Sequence, residues 1–224
     1  MTKNKKDSIY KYTKLEYVVN SLKNGIHASY IENMNDPFEY YQIENKHKYI
    51  LCCLTRSLNS KLMWSHYANG HNGCLLKIKI PANYQENSCI LRRVTYSSKF
   101  ETRINLSCND VVSNLYIKDK KWQKELEVRA VANVDNIDKE KWKIIKNDNG
   151  ENDYYLNIQI TQIILGCSVD VKSEVCQSIF KYIKEINAYI KNKKDKIIIK
   201  KMKISENKFQ IILDKSFDYL KCIK

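Results

Sequence analysis

Residues 63–73, MWSHYANGHNG, constrain the fold most, because they place two of the four histidines and two of the five glycines beside a tryptophan and a tyrosine. Ser60 is predicted to cap a short helix that ends at Asn69, with Gly70 as its left-handed C-terminal residue. The run at 74–80 is predicted to be a buried strand that Pro81 stops. A helix end, a turn and a strand should therefore meet here. The residues at helical spacing are Leu62, Met63, His66 and Tyr67.

The rest of the chain alternates between the two periodicities, which predicts an α+β fold. A capping box at 13–16 predicts a helix that ends at Asn24-Gly25, and further helices are predicted at 98–121 and 172–190. Residues 33–39 should form a loop and 135–153 a polar loop region. The expected fold is a mixed, mainly antiparallel sheet with interspersed helices. The other predicted strands are 9–12, 26–30, 48–57, 89–96, 122–134, 154–166, 196–200 and 209–213.

The length of 224 residues favours one domain. We expect a disordered basic tail at 1–8 and a single α+β domain over 9–224, in which 167–224 are the candidate for a C-terminal lobe. The apolar runs are too short for a membrane span, and the N-terminus shows no secretory signal, so we expect no membrane association and a cytoplasmic protein. The eight cysteines form no C-x-x-C pair, which favours reduced, buried thiols.

The net charge of +14 suggests a nucleic-acid partner, because clustered cations release counterions from phosphate. However, 34 lysines accompany only five arginines, and asparagine, isoleucine and tyrosine are frequent as well, as A/T-rich codons would produce. The charge alone therefore leaves two interpretations open, a nucleic-acid surface and a coding bias.

Residues 121–129, KWQKELEVR, carry the second group of candidate residues. On a strand, Glu125, Glu127 and Arg129 would point to one face. One interpretation is a solvated face with an ion pair, which contributes little to stability. The other is a carboxylate pair that stabilises positive charge in a transition state, with Arg129 keeping at least one carboxylate ionised.

Other chemistries have weaker signals. His66, His71 and Cys74 are spaced as H-x4-H-x2-C without further ligand pairs, so no metal site is predicted, although a metal-dependent hydrolase using the two histidines stays an alternative. A nucleophilic pair of His66 with Cys52, Cys53 or Cys74 also stays open. The glycines form no dinucleotide-binding or phosphate-binding loop.

Several blocks together resemble a known bacterial family, the domain of unknown function 2971 (DUF2971). They lie in order over most of residues 9–213, and the W-x-H-Y-A and W-x-x-E-x-E-x-R blocks are the most specific. Thr13-Lys14 departs from the arginine that relatives carry after Y-K-Y. The family name implies no activity. The blocks are Y-K-Y at 10–12, N-D-P-F-E at 35–39, W-x-H-Y-A-x-x-H-x-G at 64–73, V-x-Y at 94–96, K-W-x-x-E-x-E-x-R at 121–129 and I-I-x-G at 163–166.

The order of elements is also similar to that of ADP-ribosyltransferases, including the DNA-targeting toxins of toxin–antitoxin systems. This resemblance implies an ADP-ribosyltransferase-like fold and NAD as the substrate, with Glu127 as the catalytic carboxylate and Glu125 as its partner. It further implies a toxin or phage-defence effector, with nucleic acid as a candidate acceptor and a cognate antitoxin or immunity protein as a candidate partner. The residues implied to bind NAD are Tyr12, Asn35, Asp36, Arg56, Trp64, His66, Tyr67, His71 and Arg129.

A second function from another class stays open, a non-catalytic nucleic-acid-binding or regulatory module of a bacterial defence or mobile-element locus. The catalytic interpretation predicts that residues 63–73 and 122–129 face a common cleft beside 35–39. It also predicts that His66 contacts the ligand, whereas a core histidine would only be packed and hydrogen-bonded.

Overall fold

The computed structural model describes residues 8–41, 43–81, 84, 91–99 and 108–223. The chain divides into two compact units, each built from separate stretches. Unit 1 comprises residues 1–23, 57–79 and 159–224, and unit 2 comprises residues 24–56 and 80–158. The predicted tail at 1–8 lies outside the described residues except for Ser8. The predicted single domain, and the lobe at 167–224, stay predictions.

The described helices are α1 (Val18–Asn24), α2 (Lys61–Tyr67), α3 (Cys108–Asn114) and α4 (Glu174–Tyr189). The described strands are β1 (Ile9–Thr13), β2 (Ile26–Tyr30), β3 (Tyr49–Thr55), β4 (Cys74–Lys79), β5 (Leu91–Arg93), β6 (Thr95–Ser97), β7 (Ile117–Asp119), β8 (Glu127–Asn133), β9 (Trp142–Lys146), β10 (Asn152–Leu156), β11 (Gln159–Leu165), β12 (Ile198–Ile204) and β13 (Ile211–Leu213). Short 3-10 helices, among them Leu15–Tyr17, Pro37–Glu39 and Lys120–Glu125, connect some of these elements.

The sheet of unit 1 has the strand order β1-β4-β11-β12-β13. Its pairs are antiparallel except β11 with β12, which are parallel and joined through α4. Ser173 caps the start of α4, because its hydroxyl accepts the N–H of Cys176. The helix buries a stripe of residues at helical spacing that includes Ile179 and Ile183. The predicted helix at 172–190 is therefore confirmed.

Helix α2 closes the other part of the unit 1 core. The Ser60 hydroxyl accepts the N–H of Met63, as predicted for the cap. The predicted apolar face is wrong in part, because Leu62 and His66 are exposed while Met63 and Trp64 are buried. The large indole of Trp64 takes the core position, and it packs among other buried residues of unit 1 that include Tyr12, Ala68, Leu75, Ile164 and Met202.

A tight turn follows α2. Asn69, Gly70 and His71 all have positive φ, so the chain reverses within three residues before β4 begins. The N–H of Gly73 donates to the carbonyl of Ala68 at 2.7 Å. A side chain at Gly166 would overlap the carbonyl oxygen of His71, so this close approach needs glycine.

The main sheet of unit 2 is antiparallel, with the order β9-β10-β2-β3-β8-β5. β3, with the sequence YILCCLT, is buried along nearly its whole length. It pairs with β8 from Tyr49 opposite Asn133 to Thr55 opposite Glu127. A separate parallel pair joins β6 and β7. Among the described residues the predicted α+β class, with a mixed and mainly antiparallel sheet, is confirmed.

Four predicted elements are wrong in their bounds. Of the predicted strand 89–96, residues 89–90 lie outside the described residues, and Val94 separates β5 from β6 and donates its N–H to the carbonyl of Glu127. The helix at 98–121 is reduced to α3, since 117–119 form β7, while 100–107 lie outside the described residues. The polar loop at 135–153 contains β9, whose Trp142 is fully buried. The strand at 154–166 is two strands, β10 and β11.

The capping box predicted at 13–16 is also absent. Thr13 is the last residue of β1 and pairs with Cys74, so its hydroxyl does not cap a helix. A 3-10 helix, Leu15–Tyr17, instead leads from β1 into α1. Lys14 occupies its capping position, and its side chain makes no capping hydrogen bond. Within the described ranges, no helix is long and apolar enough to cross a membrane.

Candidate active site

Unit 2 contains a buried ion cluster of five side chains, Glu39, Lys118, Glu125, Glu127 and Arg129. All five are at most 9% exposed. They come from four elements: the 3-10 helix Pro37–Glu39, strand β7, the 3-10 helix Lys120–Glu125 and strand β8. Charges are rarely buried to this degree unless they are paired, so each of the five side chains is expected to have a partner of opposite charge.

Arg129 is the most deeply buried member and connects two carboxylates. Its Nε donates to Glu127 Oε1 at 2.8 Å and its Nη2 to Glu127 Oε2 at 3.1 Å, which is a bidentate pair. The same Nη2 also donates to Glu39 Oε2, and Nη1 donates to the carbonyl of Leu115 at 2.7 Å. The guanidinium thus holds both carboxylates and the carbonyl of Leu115, the residue that follows α3.

Lys118 completes the cluster. Its Nζ lies 2.8 Å from Glu125 Oε2, 3.2 Å from Glu127 Oε2 and 3.2 Å from Glu39 Oε1. It also lies 5.0 Å from the centre of the Trp122 ring, within the range of a cation–π contact. One ammonium therefore bridges all three carboxylates.

The cluster contains three carboxylates and two cations. Burial favours the neutral form of Glu127, but Arg129 and then Lys118 outweigh it and lower the pKa of Glu127 to about 2. For Glu39 the balance is the reverse, since burial raises its pKa and the attraction of Arg129 and Lys118 does not fully compensate. The pKa of Lys118 is raised, because the three carboxylates outweigh the effect of its burial.

Neighbouring hydrogen bonds fix the elements that carry the cluster. The Trp122 Nε1 donates to Asp36 Oδ2 at 2.9 Å, which ties residues 35–39 to the segment before β8. The hydroxyl of Tyr96 accepts the N–H of Glu127 at 2.8 Å. Thr55 donates its hydroxyl to the carbonyl of Glu125 at 2.6 Å. The cluster is therefore held by β3, β6 and β8 together.

A cavity of about 410 Å³ opens beside the cluster. Three of its lining residues, Asp36, Glu39 and Lys118, are buried and form its inner end, whereas Phe38 and Lys99 are exposed and form its mouth. The volume lies within the range of small-ligand pockets. Its other lining residues are Thr95, Ser97, Ser98, Asn114, Ile117 and Asp119.

The structure brings together three of the predicted residues of unit 2. Glu127 and Arg129 lie in the cluster, on the same side of β8. Glu125 joins them from outside the strand, because Leu126 has a positive φ of 48° that ends the 3-10 helix and turns the chain into β8. The interpretation of a solvated strand face is wrong, because both carboxylates are buried.

Three further predicted residues of unit 2 have different surroundings. Asp36 lines the cavity and accepts the N–H of Phe38 at 3.0 Å, while Asn35 beside it is exposed. Arg56 follows β3, and its N–H donates to the carbonyl of Leu126 at 3.2 Å. The contacts of Asp36 with Trp122 and of Glu39 with Arg129 place residues 35–39 against residues 122–129. This is the arrangement that the cleft prediction required of these two stretches.

The predicted residues of unit 1 form an aromatic group. The rings of Tyr12 and Trp64 meet edge to face at 5.1 Å, and the His71 ring is stacked on Trp64 at 6.3 Å. The hydroxyl of Tyr12 donates to the carbonyls of Ser57 and Leu58, and burial raises its pKa. Backbone carbonyls thus accept the hydrogen bond of the buried Tyr12 hydroxyl. The Nε1 of Trp64 likewise donates to the Leu58 carbonyl.

His66 and Tyr67 lie at the outer side of α2. His66 is exposed, so it is not a core histidine, and its ring lies 6.3 Å from that of Tyr67. In the part of the chain that the structure describes, no three His, Cys, Asp or Glu side chains are grouped to hold a metal ion. The ligand roles of the unit 1 residues, and the part of 63–73 in a common cleft, stay predictions.

Sequence reasoning missed three residues of this site, Glu39, Lys118 and Tyr96. Glu39 and Tyr96 stand in the blocks that carry the family resemblance, but only as pattern residues. Lys118 has no signal of its own, because it is one of 34 lysines and its strand β7 was predicted to be helical. The carboxylates at 125 and 127 were the one hint that a buried cation was needed.

The fold and the site define an α+β protein with a buried ion cluster beside a cavity. Residues 63–130 match the model of the family described as "Protein of unknown function (DUF2971)". The chain resembles this family, as its sequence predicted, and the match includes four of the five members of the ion cluster. Neither the curated proteins nor the solved structures include a significant match to the chain.

Proposed function

We propose that this cavity binds NAD and that the protein consumes it, either transferring ADP-ribose to an acceptor or hydrolysing it. The observation that supports this proposal is Glu39, a buried carboxylate that lines the cavity while Lys118 and Arg129 hold it in place. A fixed negative group of this kind lowers the barrier to a reaction in which positive charge develops on a sugar.

The proposed step breaks the bond between ribose C1′ and the nicotinamide nitrogen, and the electron pair leaves with neutral nicotinamide. The positive charge that develops at C1′ lies beside the carboxylate of Glu39. Water or an acceptor hydroxyl or amine then forms the new bond to C1′ and gives its proton to Glu39. The raised pKa of Glu39 suits it to accept that proton.

The proposal changes the roles expected from the sequence. Lys118 and Arg129 bind Glu39 as well as Glu127, and Lys118 also binds Glu125. Glu125 and Glu127 are not among the residues that line the cavity, so both serve to position the cations. Glu39 takes the role of the reacting carboxylate. Arg129 then acts through the two carboxylates that it binds, and it is not expected to touch NAD.

The test is nicotinamide release from NAD by the purified protein, with and without cell extract as a source of acceptors. Glu39→Gln should lower the rate by about 100-fold or more, the scale for removing one preorganised electrostatic group. Glu32→Gln is the matched control, because Glu32 is exposed in the same unit. No release by the wild-type protein under either condition would count against the proposal.

A loss of folding in Glu39→Gln must be separated from a loss of chemistry. Thermal unfolding of each variant gives that separation, because a folded but inactive variant supports the catalytic role. Asn114→Ala provides a second line, since Asn114 lines the cavity but lies outside the ion cluster. It should raise KM for NAD with little change in unfolding temperature.

We also propose that the activity serves a toxin or phage-defence effector with a cognate antitoxin or immunity partner. The support is the resemblance of the chain's layout to DNA-targeting toxins. Induced expression of the wild-type chain in bacteria should arrest growth, and Glu39→Gln should relieve the arrest at equal protein level. Growth arrest by both proteins would separate toxicity from this site.

The second candidate function is nucleic-acid binding, and one observation favours it. The β12–β13 hairpin of unit 1 exposes Lys203, Lys208 and Phe209, and Phe209 is 96% exposed. Lysines beside an exposed aromatic ring suit single-stranded nucleic acid. Replacing both lysines by Gln should lower the slope of log affinity against log salt concentration by the amount expected for about two phosphate contacts. Glu39→Gln should leave that slope unchanged.

A further inference from the structure

Phe38 is a large apolar side chain that stays 63% exposed although its backbone is held firmly. The carboxylate of Asp36 accepts the N–H of Phe38 at 3.0 Å and the Nε1–H of Trp122 at 2.9 Å. Pro37 fixes the backbone on one side, and Glu39 on the other side is anchored in the ion cluster. The turn that carries the partly exposed ring is therefore held by these contacts.

The position of this ring suggests what it contacts. Phe38 lines the cavity as an exposed residue, whereas Asp36 and Glu39 in the same turn line it as buried residues. An aromatic ring that is already ordered loses little conformational freedom when a second flat ring stacks on it. A preorganised platform of this kind favours a planar ligand group over a flexible apolar one.

The other walls of the cavity suit the remaining parts of a nucleotide. Thr95, Ser98 and Asn114 offer hydroxyl and amide groups, which match the hydroxyls of a ribose. Lys99 at the mouth is exposed and offers a positive charge, which matches a phosphate. Aromatic, polar and cationic groups thus surround one space of about 410 Å³.

We infer that Phe38 is the stacking platform for the flat nitrogen heterocycle of a nucleotide whose sugar and phosphate face the polar wall and Lys99. The inference rests on the proposed function for its choice of NAD as the nucleotide. NAD contains two such rings, and adenine and nicotinamide share the flat face that the platform recognises. Separate probes distinguish them.

The experiment measures dissociation constants by titration calorimetry with three probes: AMP, nicotinamide mononucleotide and ribose 5-phosphate. Phe38→Leu should weaken at least one of the two ring-bearing probes by about 10-fold, the scale of one stacked base. It should leave ribose 5-phosphate unchanged, because that probe has no ring. Phe38→Trp should retain the ring-bearing probe, since a wider ring preserves stacking.

Phe209→Leu is the matched control, because Phe209 is also exposed but belongs to unit 1. Equal affinity of wild type and Phe38→Leu for both ring-bearing probes would overturn the inference. So would wild-type protein that binds none of the probes, or a Phe38→Leu variant that weakens all three equally.

The outcome is separable from that of the proposed function. Ring-dependent binding at Phe38 without nicotinamide release would support the platform and refute NAD consumption. Nicotinamide release with the same KM in wild type and Phe38→Leu would support NAD consumption and refute the platform.

Discussion

Replacement of Arg129 by methionine tests the central feature of unit 2, because methionine retains an unbranched chain and removes only the charge and the donors. The wild-type guanidinium binds Glu127 on both oxygens, Glu39 on one, and the carbonyl of Leu115. In the variant, Lys118 alone remains to balance three buried carboxylates. We expect the free energy of unfolding to fall by about 3 to 5 kcal/mol, the range for breaking a buried pair.

The assay is equilibrium unfolding in urea, followed by tryptophan fluorescence, because Trp122 and Trp142 both lie in unit 2. Lys48→Met is the matched control. It breaks an ion pair with Asp135 at 2.8 Å, but both side chains are more than 40% exposed, so the expected loss is within about 1 kcal/mol.

A second variant separates a charge effect from a packing effect. Combining Arg129→Met with Glu127→Gln removes one of the carboxylates left without its bidentate partner, so part of the lost stability should return. If Arg129→Met costs no more than Lys48→Met, the buried ion cluster does not stabilise unit 2 and the reasoning is refuted.

The remaining predictions concern pH and packing. The pKa of Glu127 falls from 4.5 to about 2, so its contribution, about 3 kcal/mol, is present above pH 4.5 and is lost as the pH falls to about 2. The difference in unfolding free energy between wild type and Glu127→Gln should therefore shrink across that window in urea titrations. The pKa of Glu39 is raised, so the difference in unfolding free energy between wild type and Glu39→Gln should instead shrink as the pH rises above 4.5. If this difference changes with pH in the same direction for both variants, both assignments are contradicted. Gly166→Ala should destabilise by about 1 to 3 kcal/mol, because the added carbon would overlap the His71 carbonyl, whereas Gly150→Asn, which has open space and a positive φ that Asn tolerates, should change thermal unfolding little.

Local signals in the sequence were enough for several elements of unit 1. The cap at Ser60 and the stripe of α4 each depend on residues within one or two turns, so their prediction needed no long-range information. The face of α2 was predicted wrongly because periodicity alone does not rank Trp64 above His66 for burial. The indole buries far more apolar surface, and that difference decided which side faces the core.

Non-local contacts explain what the sequence did not predict. Strand β9 is an exception: it has no alternating pattern, and it pairs with the next strand, β10, across a short turn, from Trp142 opposite Leu156 to Lys146 opposite Asn152. The alternation of 125, 127 and 129 suggested one strand face, but the left-handed residue at 126 separates Glu125 from the strand. Lys118 then brings Glu125 and Glu127 together, which no spacing rule could show.

The opposite shifts of Glu39 and Glu127 indicate how the site divides its charges. Three carboxylates share two cations, so one carboxylate must be less well balanced than the others. The bidentate pair with Arg129 favours the ionised form of Glu127, and the pKa of Glu39 is the one that rises. Glu39 is also the one of these two that lines the cavity. The fold therefore stabilises a permanent charge inside the protein and places the carboxylate with the raised pKa against the cavity, as the acid–base role proposed for Glu39 requires.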